Sequence, residues 1–368
     1  MTNKEDFLGR LNKSDEAIKA YEKAIEINPN DSDAWYNKGV ALDNLNKSDE
    51  AIKAYDKAIE INPLDSDAWY NKGVALGKLG KFDEAIKVYD KAIEISPLDS
   101  EVWYNKGVAL DSLNKSDEAI KAYDKAIEIN SQYSMAWNNK GLAQDNLKKY
   151  DEAITAFDKA IEINPQYSAA WYNKGRALYK LNKSDEAITA YGKAIEINPL
   201  DSDAWYNKGL ALHKSNKFDE AINAFNKAIE INPEDSNAWG NKGTSLVKLG
   251  KSDEAIKAFD KAIEINPQDS DAWYNKGSAL VYLNKFDEAI KAYEEAIEIN
   301  PQYSAAWNNK GVALGKLGKF NEAIIAYDKA LEIDPQHSNA WYNKGLALTK
   351  LNKPNEAIKA FDKANRNI

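Results

Sequence analysis

Apolar, small and polar residues recur along the chain with a period of 34 residues. All ten tryptophans keep this spacing, from Trp35 to Trp341. A glycine follows each of them four residues later, from Gly39 to Gly345, and nine of the ten prolines recur at the same step. A fixed period of this length is typical of stacked supersecondary repeats, none of which can bury its apolar face alone.

Each repeat is predicted to form two helices. In the repeat 32–65, Trp35 and Gly39 fall on one face of a first helix, and Ala51 and Tyr55 fall on one face of a second. In this repeat we expect Ser32 and Ser48 to be the N-caps of the two helices and Pro63 to end the second helix. Helices this short are marginal alone, so neighbouring repeats must stabilise one another. The pattern predicts an all-α solenoid.

The period also predicts the boundaries of one continuous array. Positions within a repeat are numbered here from 1 at Ser32. Residues 1–31 form a degenerate repeat with a complete second helix and part of a first, and 338–368 form a shortened last repeat with a polar end. That end is either a cap or the edge of a fragment of a longer array. The repeats between them are 32–65, 66–99, 100–133, 134–167, 168–201, 202–235, 236–269, 270–303 and 304–337.

Composition excludes several classes of function. A formal charge of -9 argues against a nucleic-acid partner, and the absence of cysteine together with only two histidines argues against metal or redox cofactors. No apolar run approaches the roughly 20 residues that cross a bilayer, and the first residues are too charged for a signal peptide. We expect a cytoplasmic protein without cofactor or membrane partner. Because no catalytic motif is present, we do not expect an enzyme.

The residues that recur at fixed positions carry a family resemblance. Tryptophan at position 4, glycine at 8, alanine at 20 and 27, an aromatic residue at 24 and proline at 32 resemble the tetratricopeptide repeat (TPR) family over all 368 residues. The resemblance implies a right-handed superhelix of helix-turn-helix repeats. It also implies that the first helices line a concave groove that binds peptides.

Asparagine at position 6 is the first candidate for contact with a ligand. An amide both donates and accepts, so a row of them can bind an extended backbone without reading its sequence. The row resembles the asparagines in the TPR arm of O-linked N-acetylglucosamine transferase. A purely structural role for these amides is the alternative. The residues are Asn37, Asn71, Asn105, Asn139, Asn173, Asn207, Asn241, Asn275, Asn309 and Asn343.

Other positions on the first helices add contact area and charge. Tyrosine at position 5 offers a rigid contact surface or packing between repeats, and Gly240 at that position would leave a notch for a bulky ligand side chain. Later repeats place basic residues where earlier ones place acidic residues, which could orient a ligand or simply solvate the surface. The candidates are Tyr70, Tyr104, Tyr172 and Tyr206 with Arg176, Lys180 and Lys214.

Lysine at position 7 departs from the family pattern, which places an apolar residue there. It occurs in all ten complete first helices, from Lys38 to Lys344. We expect its stem to pack between repeats and its ammonium group to reach a neighbouring carboxylate.

These observations favour a non-catalytic scaffold that binds other proteins or extended peptides in its groove. Two alternatives stay open. Near-identical repeats could stack end to end between chains by self-association. The array could also be the recognition arm of a larger enzyme.

Overall fold

The computed structural model describes residues 2–366, with side chains from Lys13 to Asn365. Within this range the fold is all-helical, in agreement with the predicted class. The chain divides into two compact halves, Met1–Asn182 and Lys183–Ile368. In each half every helix packs against the next one along the chain, so each half is a solenoid of stacked helix pairs.

The N-terminal half contains the first ten helices. Repeating helix pairs follow a longer first helix. The bounds are α1 Thr2–Ile27, α2 Ser32–Asn44, α3 Ser48–Ile61, α4 Ser66–Lys78, α5 Phe82–Ile95, α6 Ser100–Ser112, α7 Ser116–Ile129, α8 Ser134–Asn146, α9 Tyr150–Ile163 and α10 Ser168–Lys180.

The C-terminal half begins with the second helix of a repeat and contains five further helix pairs among the described residues. The bounds are α11 Ser184–Ile197, α12 Ser202–Lys214, α13 Phe218–Ile231, α14 Ser236–Lys248, α15 Ser252–Ile265, α16 Ser270–Tyr282, α17 Phe286–Ile299, α18 Ser304–Lys316, α19 Phe320–Ile333, α20 Ser338–Lys350 and α21 Pro354–Arg366.

In the repeats 32–65 to 134–167 and 202–235 to 338–368, the core forms where the glycine at position 8 faces the aromatic ring at position 24. A Cβ atom built on Gly39 would lie 2.6 Å from Cε1 of Tyr55, so no larger residue fits there. Tyr55 is only 1% exposed, and Ala51 and Ala58 beside it are fully buried. The glycine therefore lets the two helices approach closely enough to bury the ring, while Trp35 at the junction is half-buried.

The turn between the two helices depends on a residue in the left-handed region. Asn46 has a φ of 57° and Gly80 a φ of 72° at the equivalent position. Asparagine and glycine adopt this conformation more readily than other residues, which explains why they dominate the turn.

The N-caps differ from the expected serines. The side chain of Asp65, the residue before Ser66, accepts hydrogen bonds from the backbone of Asp67 and Ala68 at 3.0 and 3.1 Å. The expectation that serine caps the second helix is also wrong, because Ser48 is the first helical residue and donates to Asp43 at 3.0 Å. A carboxylate satisfies the free N–H groups of the first turn and complements the helix dipole.

The chain start also differs from the sequence expectation. Residues 1–31 were expected to contain parts of two helices, but α1 runs without interruption through the predicted turn. Asn12 occupies the turn position of this segment, but it is helical, whereas the equivalent Asn46 is left-handed. Among the described helices, none has both the length and the apolar character needed to cross a bilayer.

The lysines at position 7 confirm the expected arrangement in eight repeats. The ammonium group lies 4.8–5.7 Å from the tryptophan ring of its own repeat in all ten. In eight it also pairs, at 2.5–3.0 Å, with a carboxylate at position 25 on the preceding second helix. The pairs are Lys38 with Glu22, Lys72 with Asp56, Lys106 with Asp90, Lys140 with Asp124, Lys174 with Asp158, Lys276 with Asp260, Lys310 with Glu294 and Lys344 with Asp328.

Candidate peptide-binding surface

In the N-terminal half, the amide of the position 6 asparagine is tied to position 5 of the preceding repeat. The amide nitrogen donates to a tyrosine hydroxyl, or to an asparagine oxygen where tyrosine is absent. Positions 5 and 6 of successive first helices therefore form a linked row. The distances are 3.1 Å from Asn71 to Tyr36, 3.1 Å from Asn105 to Tyr70, 3.0 Å from Asn139 to Tyr104 and 3.0 Å from Asn173 to Asn138.

The C-terminal half repeats this link with one interruption. Asn207 of this half donates to the backbone oxygen of Asp203 at 2.8 Å, and in the N-terminal half Asn37 donates to that of Asp33 at 2.8 Å, while Tyr172 has an interaction partner of its own. The linked pairs in this half are Asn241 to Tyr206 at 3.2 Å, Asn309 to Tyr274 at 3.0 Å and Asn343 to Asn308 at 3.1 Å.

The amide oxygens of several asparagines are left for other partners. Nδ2 of Asn71, Asn105 and Asn241 donates both to the position 5 tyrosine and to a backbone oxygen four residues earlier. Within the part of the chain that the structure describes, their Oδ1 atoms accept no hydrogen bond. This geometry leaves an acceptor at each asparagine, whereas the sequence alone suggested both a donor and an acceptor.

The interruption lies between α14 and α16. Gly240 stands where the other repeats of this half have tyrosine or asparagine, so Asn275 has no side chain from position 5 to bond. Among the described residues, Asn275 is the position 6 asparagine whose amide makes no intramolecular hydrogen bond. A Cβ atom built on Gly240 would meet no atom within 4 Å. Both the donor and the acceptor of Asn275 therefore face open space.

A depression of about 530 Å³ opens at this place, as the notch expected at Gly240 requires. We call it the Gly240 notch. Asn241 and Thr244 line one wall, and Asp269, Asp271 and Asn275 line the other. Its surface is mainly polar and carries two carboxylates, one of which, Asp271, accepts a hydrogen bond from the Tyr303 hydroxyl at 2.7 Å.

Several candidate charges are engaged within the protein. Asp145, whose side chain is 2% exposed, pairs with both Arg176 and Lys180 at 2.9 Å. Lys78 pairs in the same way with Asp43 at 2.7 Å, and Lys214 also has an interaction partner. The structure thus brings Arg176 and Lys180 together around a buried carboxylate. This carboxylate partly neutralises their positive charge within the protein.

Three position 5 tyrosines of the N-terminal half have a raised pKa and stay protonated at neutral pH. Burial, followed by the nearby carboxylates Glu101 and Asp99, raises the pKa of Tyr70 to about 12. Burial also raises the pKa of Tyr36 and of Tyr104. Because these hydroxyls accept from asparagine and keep their proton, they remain neutral polar groups on the surface.

His213 belongs to a separate polar contact on the first helices. Its Nδ1 lies 2.8 Å from the hydroxyl of Ser245, which itself donates to the backbone oxygen of Asn241. That donation leaves the hydroxyl as an acceptor, so Nδ1 donates to it. Burial first, and then Lys248, lowers the pKa of His213.

Comparison with known families matches almost the whole chain. Models described as tetratricopeptide repeat match residues 172–236, 241–304 and 274–338, residues 32–64, 66–98, 100–133 and 134–167, and residues 224–257 and 326–359. A model described as TPR repeat matches residues 10–46. Among curated proteins, none matches the sequence.

Three solved structures illustrate the similarity. The C-terminal part of a TPR repeat-containing protein from Cytophaga hutchinsonii is 20% identical, over 65% of this chain and 98% of its own, with a TM-score of 0.57. YrrB, described as a TPR protein with an unusual peptide-binding site, is 29% identical over 52% of this chain and 98% of its own, with a TM-score of 0.46. MamA is 28% identical over 43% and 93%, with a TM-score of 0.42.

Proposed function

Because the chain belongs to the tetratricopeptide repeat family, we propose that it is a non-catalytic scaffold that binds an extended peptide segment of another protein along its first helices. Repeats of this family are protein–protein interaction scaffolds and are typically not catalytic. The finer proposal concerns where the peptide lies and which groups hold it.

The observation that carries the proposal is the free amide of Asn275 beside the Gly240 notch. In the other linked pairs the asparagine nitrogen is already used, but at Asn275 one amide can donate to a peptide carbonyl and accept from a peptide N–H. A backbone strand that binds an exposed amide in this way gains affinity without sequence preference. The oxygen of Asn241, one repeat earlier, extends the same row of acceptors.

The notch would add side-chain preference to this backbone contact. Asp269 and Asp271 make it acidic, and its volume of about 530 Å³ accommodates a long side chain. A carboxylate pairs strongly with a guanidinium or ammonium group when water is partly excluded. We therefore propose that the peptide places arginine or lysine in the Gly240 notch.

The experiment begins with selection of peptides from a random displayed library on the full chain. Affinity of a selected peptide is then measured for the wild type and for Gly240→Tyr, which restores the residue most common at position 5. The new ring fills the notch and its hydroxyl can bond Asn275. We expect roughly tenfold weaker binding or worse, the effect of losing about one hydrogen bond to a charged group.

Asn138→Tyr serves as the matched control, since it makes the same change to tyrosine at position 5 of the N-terminal half. It should leave the affinity unchanged, and circular dichroism should show equal helicity for all three proteins. Replacing the basic residue of the peptide by citrulline should also weaken binding. Equal affinity of the wild type and Gly240→Tyr would overturn the proposal.

A further inference from the structure

Two lysines at position 7 lack the ion pair that the other eight make. Lys208 and Lys242 lie in consecutive repeats of the C-terminal half, on α12 and α14. Each stands over the tryptophan of its own repeat, at 5.5 Å for Lys208 and 4.8 Å for Lys242. Within the described part of the chain, neither ammonium group has a carboxylate within 4.0 Å.

The residue at position 25 of the preceding second helix explains why these two ion pairs are missing. Gly192 on α11 and Asn226 on α13 stand where the eight paired repeats have aspartate or glutamate. A Cβ atom built on Gly192 would lie 3.8 Å from Nζ of Lys208, and nothing else lies within 4 Å of it. The space that a carboxylate occupies elsewhere is thus open beside Lys208.

Lys242 lies in a furrow between α14 and α15 rather than on the peptide-binding surface proposed above. The furrow has a volume of about 620 Å³, and Trp239 and Lys242 lie in it beside residues of α15. Burial lowers the pKa of Lys242, although Glu254 on α15 opposes this effect. A half-buried cation without a close counter-ion is electrostatically unfavourable, so an added carboxylate would be stabilised there.

The other carboxylates of this furrow are engaged or set apart. Asp260 pairs with Lys276 of the next repeat at 2.7 Å. Glu254, another described residue that lines the furrow, forms no ion pair within 4.0 Å of the Lys242 ammonium group. Lys257 also lines the furrow and adds positive charge. The surroundings therefore do not supply the anion that the position 25 residue supplies in other repeats.

We propose that Lys208 and Lys242 form a second binding site, which takes an acidic segment of a partner protein. Two carboxylates of that segment replace the missing position 25 side chains, one above each tryptophan and lysine. The site lies on a different surface from the Gly240 notch and does not depend on the function proposed for it. The ligand is a carboxylate because the eight intact repeats show a carboxylate in the same relation to lysine.

The test uses a fluorescein-labelled peptide of eight glutamates and fluorescence anisotropy at low ionic strength. The wild-type chain is compared with the double variant Gly192→Asp and Asn226→Asp, which supplies both carboxylates within the chain. We expect the double variant to fold normally, because it restores the residues of intact repeats, and to bind the peptide at least roughly tenfold more weakly. Lys208→Met with Lys242→Met should weaken binding to a similar extent.

A double variant of the N-terminal half should gain an equivalent binding site. Asp56→Asn together with Asp90→Asn releases Lys72 and Lys106, which are also in consecutive repeats. This variant should bind a second equivalent of the glutamate peptide. A peptide selected for the Gly240 notch should bind the aspartate double variant as tightly as the wild type, so the two proposals fail separately.

Three results would contradict the acidic-segment site. One is absence of binding to the wild type, and another is equal affinity of the wild type and the aspartate double variant. The third is a single-stranded DNA oligonucleotide that binds as tightly as the glutamate peptide with the same dependence on Lys208 and Lys242, since the site would then be a general anion site.

Discussion

At the scale of single residues, two glycines of one helix have opposite roles. Gly243 in α14 leaves no space for a side chain, since an added Cβ atom would lie 2.7 Å from Cε1 of Phe259, whereas Gly240 in the same helix faces open space. Alanine is the better helix former by roughly 1 kcal/mol. We expect Gly243→Ala to destabilise the fold by about 1–3 kcal/mol through overpacking. We expect Gly240→Ala to stabilise it by up to about 1 kcal/mol.

Urea unfolding followed by circular dichroism measures both effects in one background. Because the two positions share a helix, differences in helix length or position along the stack cannot explain a difference in sign. A Gly243→Ala protein as stable as Gly240→Ala would refute the close packing of the glycine against the ring.

His213 gives a second residue-scale prediction, on the pH dependence of stability. Since burial lowers its pKa in the folded state, its contribution is complete above the ordinary pKa of 6.5 and is lost as pH falls below that value towards the folded pKa. Unfolding midpoints at about pH 7.5 and about pH 5.5 should therefore differ more for the wild type than for His213→Gln. The same pH dependence of the unfolding midpoint in both proteins would contradict this role of His213.

The roles of single residues could be predicted where they follow from the 34-residue period, and they were missed where they depend on a contact between two repeat positions. The glycine at position 8 and the notch at Gly240 could each be predicted from one repeat position. The link between positions 5 and 6 needed the distance between successive first helices, which only packing determines. The absent carboxylates at Gly192 and Asn226 were visible in the sequence, but their meaning needed the contact between positions 7 and 25.

At the scale of helices, the caps explain why the first helices begin where they do. Asp65 caps α4 with two hydrogen bonds, while His337 before α20 makes none with its side chain. We expect Asp65→Ala to destabilise the fold by about 1 kcal/mol and His337→Asp to stabilise it by a similar amount. Thermal unfolding of the two variants checks both expectations. Unfolding temperatures that shift in the same direction in both variants would contradict the role of the cap.

Helix positions followed from the 34-residue period, but the cap residues did not. Serine and aspartate both cap helices well, and the sequence places them side by side at the start of α2, α4, α6, α12, α14 and α16. Backbone geometry decides between them, because the aspartate is extended and the serine is already helical. In α1 the helix continues through Asn12, which occupies the turn position, and the repeat pattern did not predict this.

At the scale of the whole molecule, strict repetition accounts for the fold and departures from it mark the proposed sites. The repeats 32–65 to 134–167 and 202–235 to 338–368 contribute the same glycine, aromatic ring and alanines to the core. Gly240 interrupts the row of linked asparagines, and Gly192 and Asn226 interrupt the lysine ion pairs. Sequence alone could show that these positions differ, but it could not show which groups each difference leaves without a partner.

The central claim, that a peptide binds on the first helices at the Gly240 notch, is tested most directly by hydrogen exchange. Amide exchange of the full chain is measured with and without a peptide selected on it. The account predicts slower exchange in α14 and α16, whose residues line the notch. Protection confined to the second helices, or the absence of any protection at saturating peptide, would contradict it.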